Sequence, residues 1–140
     1  MVEDRITDGT RIAELLASEL DGREDPPLDR LAVVNADDDV EPTVDGALAY
    51  EIALRGEDGT GGESDDDGSE EILGSVHVHP DRAHVEFATG VDAVEEAASD
   101  AGLRVRPKAV TPPRVLVFVE SGAEVKRVVP AVAAAVEAEF

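Results

Sequence analysis

The three histidines of the chain fall within eight residues, at His77, His79 and His84 of the stretch SVHVHPDRAHVEFATG, residues 75–90. Side chains alternate between faces along a strand. In a hairpin, Val76, Val78, Val85 and Phe87 then form one apolar face, and His77, His79, His84 and Glu86 form the other. A four-residue turn over Pro80–Ala83 sets His79 opposite His84 and His77 opposite Glu86. Directly opposed Cβ atoms lie about 5 Å apart, so these imidazoles can converge on one divalent ion. Two or three histidines with one carboxylate suit zinc, iron(II), manganese or nickel. The plainer alternative is a polar strand face turned to water. The register decides between them, because a one-residue slip parts the set.

A second group of residues has its own chemistry. Half of the twelve basic residues lie between Arg104 and Arg127: Arg104, Arg106, Lys108, Arg114, Lys126 and Arg127. Only Glu120 and Glu124 oppose them there. Arg104 and Arg106 alternate onto one strand face, Lys108 and Arg114 bracket the loop PKAVTPP, and Ser121–Gly122 opens a helix whose first N–H groups favour anions. Arginine suits bidentate phosphate contact, so Arg104, Arg106, Lys108 and Arg114 are candidates for holding a small anionic, phosphate-bearing ligand. The alternative is neutralisation of nearby acids. Nucleic acid is a poor partner: the net charge is −21, and few aromatic rings are present to stack on bases.

Other patterns are incomplete. GEDGTGG lacks the Lys-Ser/Thr of a phosphate-binding loop. DDDGSEE has the wrong spacing for an EF-hand, and Asp37–Asp39 reads as a hydrated loop. No G-x-S-x-G or H-E-x-x-H occurs, so no catalytic constellation is complete and a non-enzymatic binding or regulatory role is expected. The run from Val76 to Val105 resembles the strand–helix–strand of ferredoxin-like metal-carrier domains. Their Cys-x-x-Cys is absent, and nothing of their function carries over.

The elements that must position these residues follow from periodicity. A helix is expected over 5–22, with Ile12, Leu15, Leu16 and Leu20 at helical spacing, Thr7 or Asp8 as cap and Gly22 as stop. Strands are expected at RLAVVNA and ALAYEIALR, with Leu48, Tyr50, Ile52 and Leu54 on one face of the second. Residues 56–71 hold eight acids, five glycines and no apolar side chain, which predicts a disordered loop. ILGSVHVH and AHVEFA complete a three-strand meander. A helix capped by Thr89 and Asp92 and closed at Gly102 comes next. Strands LRVR and RVLVFVE follow. The last helix starts from a Ser121/Glu124 capping box, carries Val125, Val128, Val129, Val132 and Val136 inward, and is kinked or split at Pro130. The order α-β-β-β-β-α-β-β-α in 140 residues makes one α+β domain, a two-layer sandwich with a mainly antiparallel sheet and helices on one face.

Composition sets the surroundings. Thirty-three acids face twelve bases, of which only Lys108 and Lys126 are lysine. Such a surface resembles that of proteins from salt-accumulating halophiles, where a Debye length of about 3 Å in molar salt screens the self-repulsion. The absence of cysteine excludes disulfides, thiol nucleophiles and thiolate metal sites. The acidic start MVEDRITDG and the lack of a long apolar run predict a cytoplasmic protein with neither signal peptide nor membrane span. The apolar residues are mostly small, which favours a homodimer that buries more surface.

Overall fold

The structure, a computed structural model, describes residues 8–21, 28, 31–37, 39–55, 70–110 and 113–139. Its elements are α1 (Gly9–Asp21), β1 (Leu31–Val34), β2 (Ala47–Arg55), β3 (Glu70–His79), β4 (Arg82–Phe87), α2 (Val91–Asp100), β5 (Arg104–Lys108), β6 (Arg114–Val119), a 3-10 helix (Gly122–Val128) and α3 (Val129–Glu139). The six strands form one antiparallel sheet in the order β1-β2-β3-β4-β6-β5. This is the expected α+β fold in the expected order. None of the helices is long and apolar enough to cross a membrane. The 56–69 part of the acidic loop, Thr7 and Gly22 lie outside the described residues, whereas Glu70 and Glu71 belong to β3.

The helices cover one face of the sheet. Val76, Val78, Val85, Phe87, Val115, Val117 and Val119 point into that layer and are fully buried, as are Ile12, Leu16, Val94, Val128, Val132 and Val136. The Tyr50 hydroxyl donates to the Ala13 carbonyl at 2.8 Å and ties β2 to α1; burial pushes its pKa up.

Several local expectations change. Asp8 caps α1 by accepting from the Arg11 N–H at 3.2 Å, but α2 has no side-chain cap. Its first flanking residue is Gly90 at φ 61, a conformation open to glycine at no steric cost, so Thr89–Asp92 is not a capping box. The Ser121/Glu124 box does not form either: the Glu124 carboxylate accepts from the Glu120 N–H at 2.8 Å. The last helix is split, with the first seven residues wound as 3-10 and Pro130 in the first turn of α3, where its missing N–H costs no helical bond. In β2 the alternation breaks. Register shifts fall between Leu48 and Tyr50 and between Ile52 and Ala53, so Leu48 is exposed while Ala49, Tyr50, Ile52, Ala53 and Leu54 are buried.

Candidate functional site

The β3–β4 turn decides the site. It contains two residues, Pro80 and Asp81, because His79 pairs with Arg82 and Val78 with Ala83. The four-residue turn is therefore corrected: His77 faces His84, and Glu86 faces Ser75. Proline favours the first central position of a tight turn, and Ala83 already belongs to the buried alternation with Val85 and Phe87. A shift of two residues preserves the parity of the pleat. His77, His79, His84 and Glu86 consequently stay on one face, the face without helices.

The pairing extends into rows across this face. One row runs Leu48, His77, His84, Phe118, Arg104, and the next runs Glu51, Ser75, Glu86, Leu116, Arg106. Lys108 pairs with Arg114. The histidine cluster and the four candidate anion-binding residues are thus neighbours on one surface. Lys126 and Arg127 are elsewhere, on the 3-10 helix that packs beside α1.

The histidines are not a solvated strand face. His79 is 6 % exposed and His84 is 5 % exposed. Backbone from the 43–46 turn crosses over them: the Thr43 N–H donates to the Val78 carbonyl at 3.3 Å, and the Gly46 N–H donates to Thr43. Gly46 has φ 99, and a Cβ there would stand 2.9 Å from His84 Cε1, 3.1 Å from His79 Nε2 and 3.1 Å from His77 Cβ. Only glycine fits. From the other side Phe118, 8 % exposed, brings its ring centroid within 5.6 Å of His84, and Arg82 stacks over Phe118 at 5.1 Å. Sequence reasoning missed Gly46, Phe118 and Arg82. The Asp45-Gly46 pair was readable as a tight turn, but not its position over β3 and β4.

A hydrogen-bonded chain orders the rings. His79 Nδ1 lies 2.8 Å from the Val44 carbonyl oxygen, and His79 Nε2 lies 2.8 Å from His84 Nδ1. A carbonyl only accepts, so His79 Nδ1 carries the hydrogen. With both rings uncharged, His79 Nε2 must accept from His84 Nδ1–H, and the His84 lone pair is left on Nε2. His77 stacks on His84 with centroids 4.8 Å apart and planes 11° from parallel, while its Nε2 is 2.9 Å from the Ser75 hydroxyl. Burial lowers the His84 pKa to about 4, assisted by His77, His79 and Lys108 against the pull of Glu86. Burial also lowers His77, against the opposing effect of Glu86 and the Gly46 carbonyl. Neutral rings are the form that binds metal.

One ligand atom each from His77, His84 and Glu86 lie within 4.8 Å of one another. His79 is not part of this set; it holds His84 from behind. Bonds of about 2.0–2.2 Å to one tetrahedral ion place donors about 3.4 Å apart, so the donors must close by up to about 1.4 Å, and the nearly parallel imidazole planes must turn toward each other for both in-plane lone pairs to meet one ion.

The charged neighbours are mostly paired. Arg114 donates to Glu86 at 2.7 Å and Lys108 is 4.0 Å from the same oxygen. Burial pushes Glu86 up, but the Arg114 hydrogen bond and the two positive charges outweigh it and hold the carboxyl below its ordinary value. Arg104 pairs with Glu120 at 3.2 Å, and Arg82 approaches that carboxylate at 3.7 Å. Arg106 has no ion-pair partner among the described residues.

Fold and site together define an α+β domain with a helix-covered core and an opposite sheet face bearing buried histidines beside cations. The chain belongs to the family of unknown function DUF7993, whose family model matches residues 1–139. No curated protein and no solved structure matches it.

Proposed function

We propose that this protein is a binding domain whose open sheet face holds one divalent transition-metal ion, with His77, His84 and Glu86 as ligands and His79 as the residue that orients His84. One observation carries this reading. The chain from the Val44 carbonyl through His79 engages His84 at Nδ1 and leaves Nε2 as the nitrogen not held by His79, in a ring that has a ligand atom within 4.8 Å of ligand atoms of His77 and Glu86. A metal-bound histidine ordinarily donates its other ring N–H to an acceptor that fixes the tautomer, and His79 is placed to be that acceptor. Two nitrogen donors and one oxygen donor suit zinc, nickel or iron(II) better than calcium or magnesium. Titration with zinc tests the reading: the wild type takes up one equivalent, and His84→Ala weakens uptake at least about tenfold.

The charge of −21 supports a working environment of molar salt in the cytoplasm, where self-repulsion is screened. The melting temperature is expected to rise steadily from dilute buffer to molar KCl; a flat or falling profile contradicts this. Self-association through the sheet edges is opposed at β5, where Pro107 removes a backbone donor. A dimer would instead use another surface, and sedimentation in molar KCl reports whether it forms.

A further inference from the structure

We infer that the metal ion is the anchor of a second binding event, in which a small phosphoryl-bearing anion bridges the ion and the cations Arg114, Lys108 and Arg106. This rests on the metal reading above and adds the class of ligand that the site takes.

Three protein donors leave a four- to six-coordinate ion with open positions. Protein groups at a purely structural site would fill them. Here the surroundings of the open positions are cationic. Glu86 is the only carboxylate paired with Arg114 and Lys108 among the described residues. Once that carboxylate coordinates a dication, its charge is shared three ways. A divalent ion, the Glu86 and Glu51 carboxylates and the Arg114 and Lys108 cations leave a local charge of about +2, within a chain of −21. An anion from solution is the missing partner.

The geometry narrows its nature. Beside Glu86 the surface dips into an open concavity of about 220 Å³, lined by Glu51, Ser75, Glu86 and Arg114 together with the apolar Ile72 and Leu73, while Lys108 reaches the site only through its contact with Glu86 at 4.0 Å. It has room for one tetrahedral oxyanion beside Arg114. Besides Glu86 the acid in this lining is Glu51, and its carboxylate is engaged by the Asn35 amide at 2.6 Å. The anion therefore sits toward Arg114, with the Ser75 hydroxyl within the same wall. Arg106, exposed and without an ion-pair partner among the described residues, lies in the same cross-strand row as Glu86, with Leu116 between them. A phosphoryl group carries nearly two negative charges at neutral pH and three acceptor oxygens, enough for one oxygen on the metal and others on the Arg114 guanidinium and the Lys108 ammonium. A carboxylate has one charge and two oxygens and fills less of this demand.

The test uses the whole chain loaded with cobalt(II) in molar KCl, with inorganic phosphate titrated at constant ionic strength and visible absorption as the readout. Phosphate is expected to shift the cobalt bands saturably at millimolar concentration or below. At saturating cobalt, Arg106→Gln and Lys108→Gln should each weaken the phosphate response, Lys108→Gln by about tenfold, equivalent to about 1.4 kcal/mol. Acetate, a single carboxylate, should bind more weakly than phosphate. If the wild type takes up no cobalt, the metal reading fails and this inference fails with it. If cobalt binds and phosphate leaves the bands unchanged, the metal reading stands and the anion inference is overturned. Equal phosphate binding by metal-free protein, or tighter binding of acetate, overturns it as well.

Discussion

His84 Nδ1 lies 2.8 Å from His79 Nε2, and this single contact divides the four polar side chains of the hairpin into two kinds. His84, with His77 and Glu86, is one of the three proposed donors. His79 is turned the other way, its second nitrogen on the Val44 carbonyl, and serves as a strut. A strut without a coordinate bond still matters, because the ring it holds is the one that must present its lone pair. His79→Ala is therefore expected to lower zinc affinity about 10- to 100-fold. His79→Gln, whose side-chain amide can still accept from His84, should recover part of the loss. Calorimetric titration of the two variants checks this. Equal, wild-type affinity in both would mean that His79 does not orient the site.

Gly46 is the tightest point of the cover over the histidines. At φ 99, with His84 Cε1 in reach of any Cβ, Gly46→Ala combines backbone strain with a clash. The expected cost is roughly 1–3 kcal/mol of stability, with a weakened metal site because the rings must move. Denaturant unfolding in molar KCl measures it. A variant as stable as the wild type would show that the 43–46 turn does not rest on the histidines.

Much of this arrangement was legible in the sequence, and the rest was hidden for identifiable reasons. The alternation of Val76, Val78, Val85 and Phe87 against His77, His79, His84 and Glu86 assigned every side chain to its correct face, because parity survives a two-residue change in the turn. The same alternation cannot fix which residue stands opposite which, so the pairing of His79 with His84 across the strands was displaced. The partition into proposed ligands and strut was beyond reach, since it depends on Val44, more than thirty residues away. That the basic residues share the histidine face follows from β6 inserting between β4 and β5. Strand order of this kind is set by helix packing and leaves no local mark. The failed capping boxes had the right residue types, but at Gly90 the backbone turns left-handed before Thr89 can reach the helix.

Stability of the metal-free protein should fall on acidification, with a sign that follows from the ring environments. An unfolded histidine titrates near 6.5, whereas burial and its neighbours hold His84 down to about 4. Between those values the unfolded chain binds the extra proton, so stability is complete above about pH 6.5 and drains away as the pH falls toward 4. The difference corresponds to roughly 3 kcal/mol for His84. His77 and Glu86, both lowered, act in the same direction. Urea unfolding at several pH values should show a shallower decline in His84→Gln than in the wild type. Parallel declines would contradict the assignment.

Whether His77, His84 and Glu86 hold a metal ion is tested most directly on tag-free protein, purified in molar KCl without chelator and titrated with zinc, bound metal being counted by elemental analysis. The account predicts one zinc per chain for the wild type and far less for His84→Ala, with the variant still folded. A folded wild type that takes up no metal, or a His84→Ala variant that binds zinc as the wild type does, would contradict it.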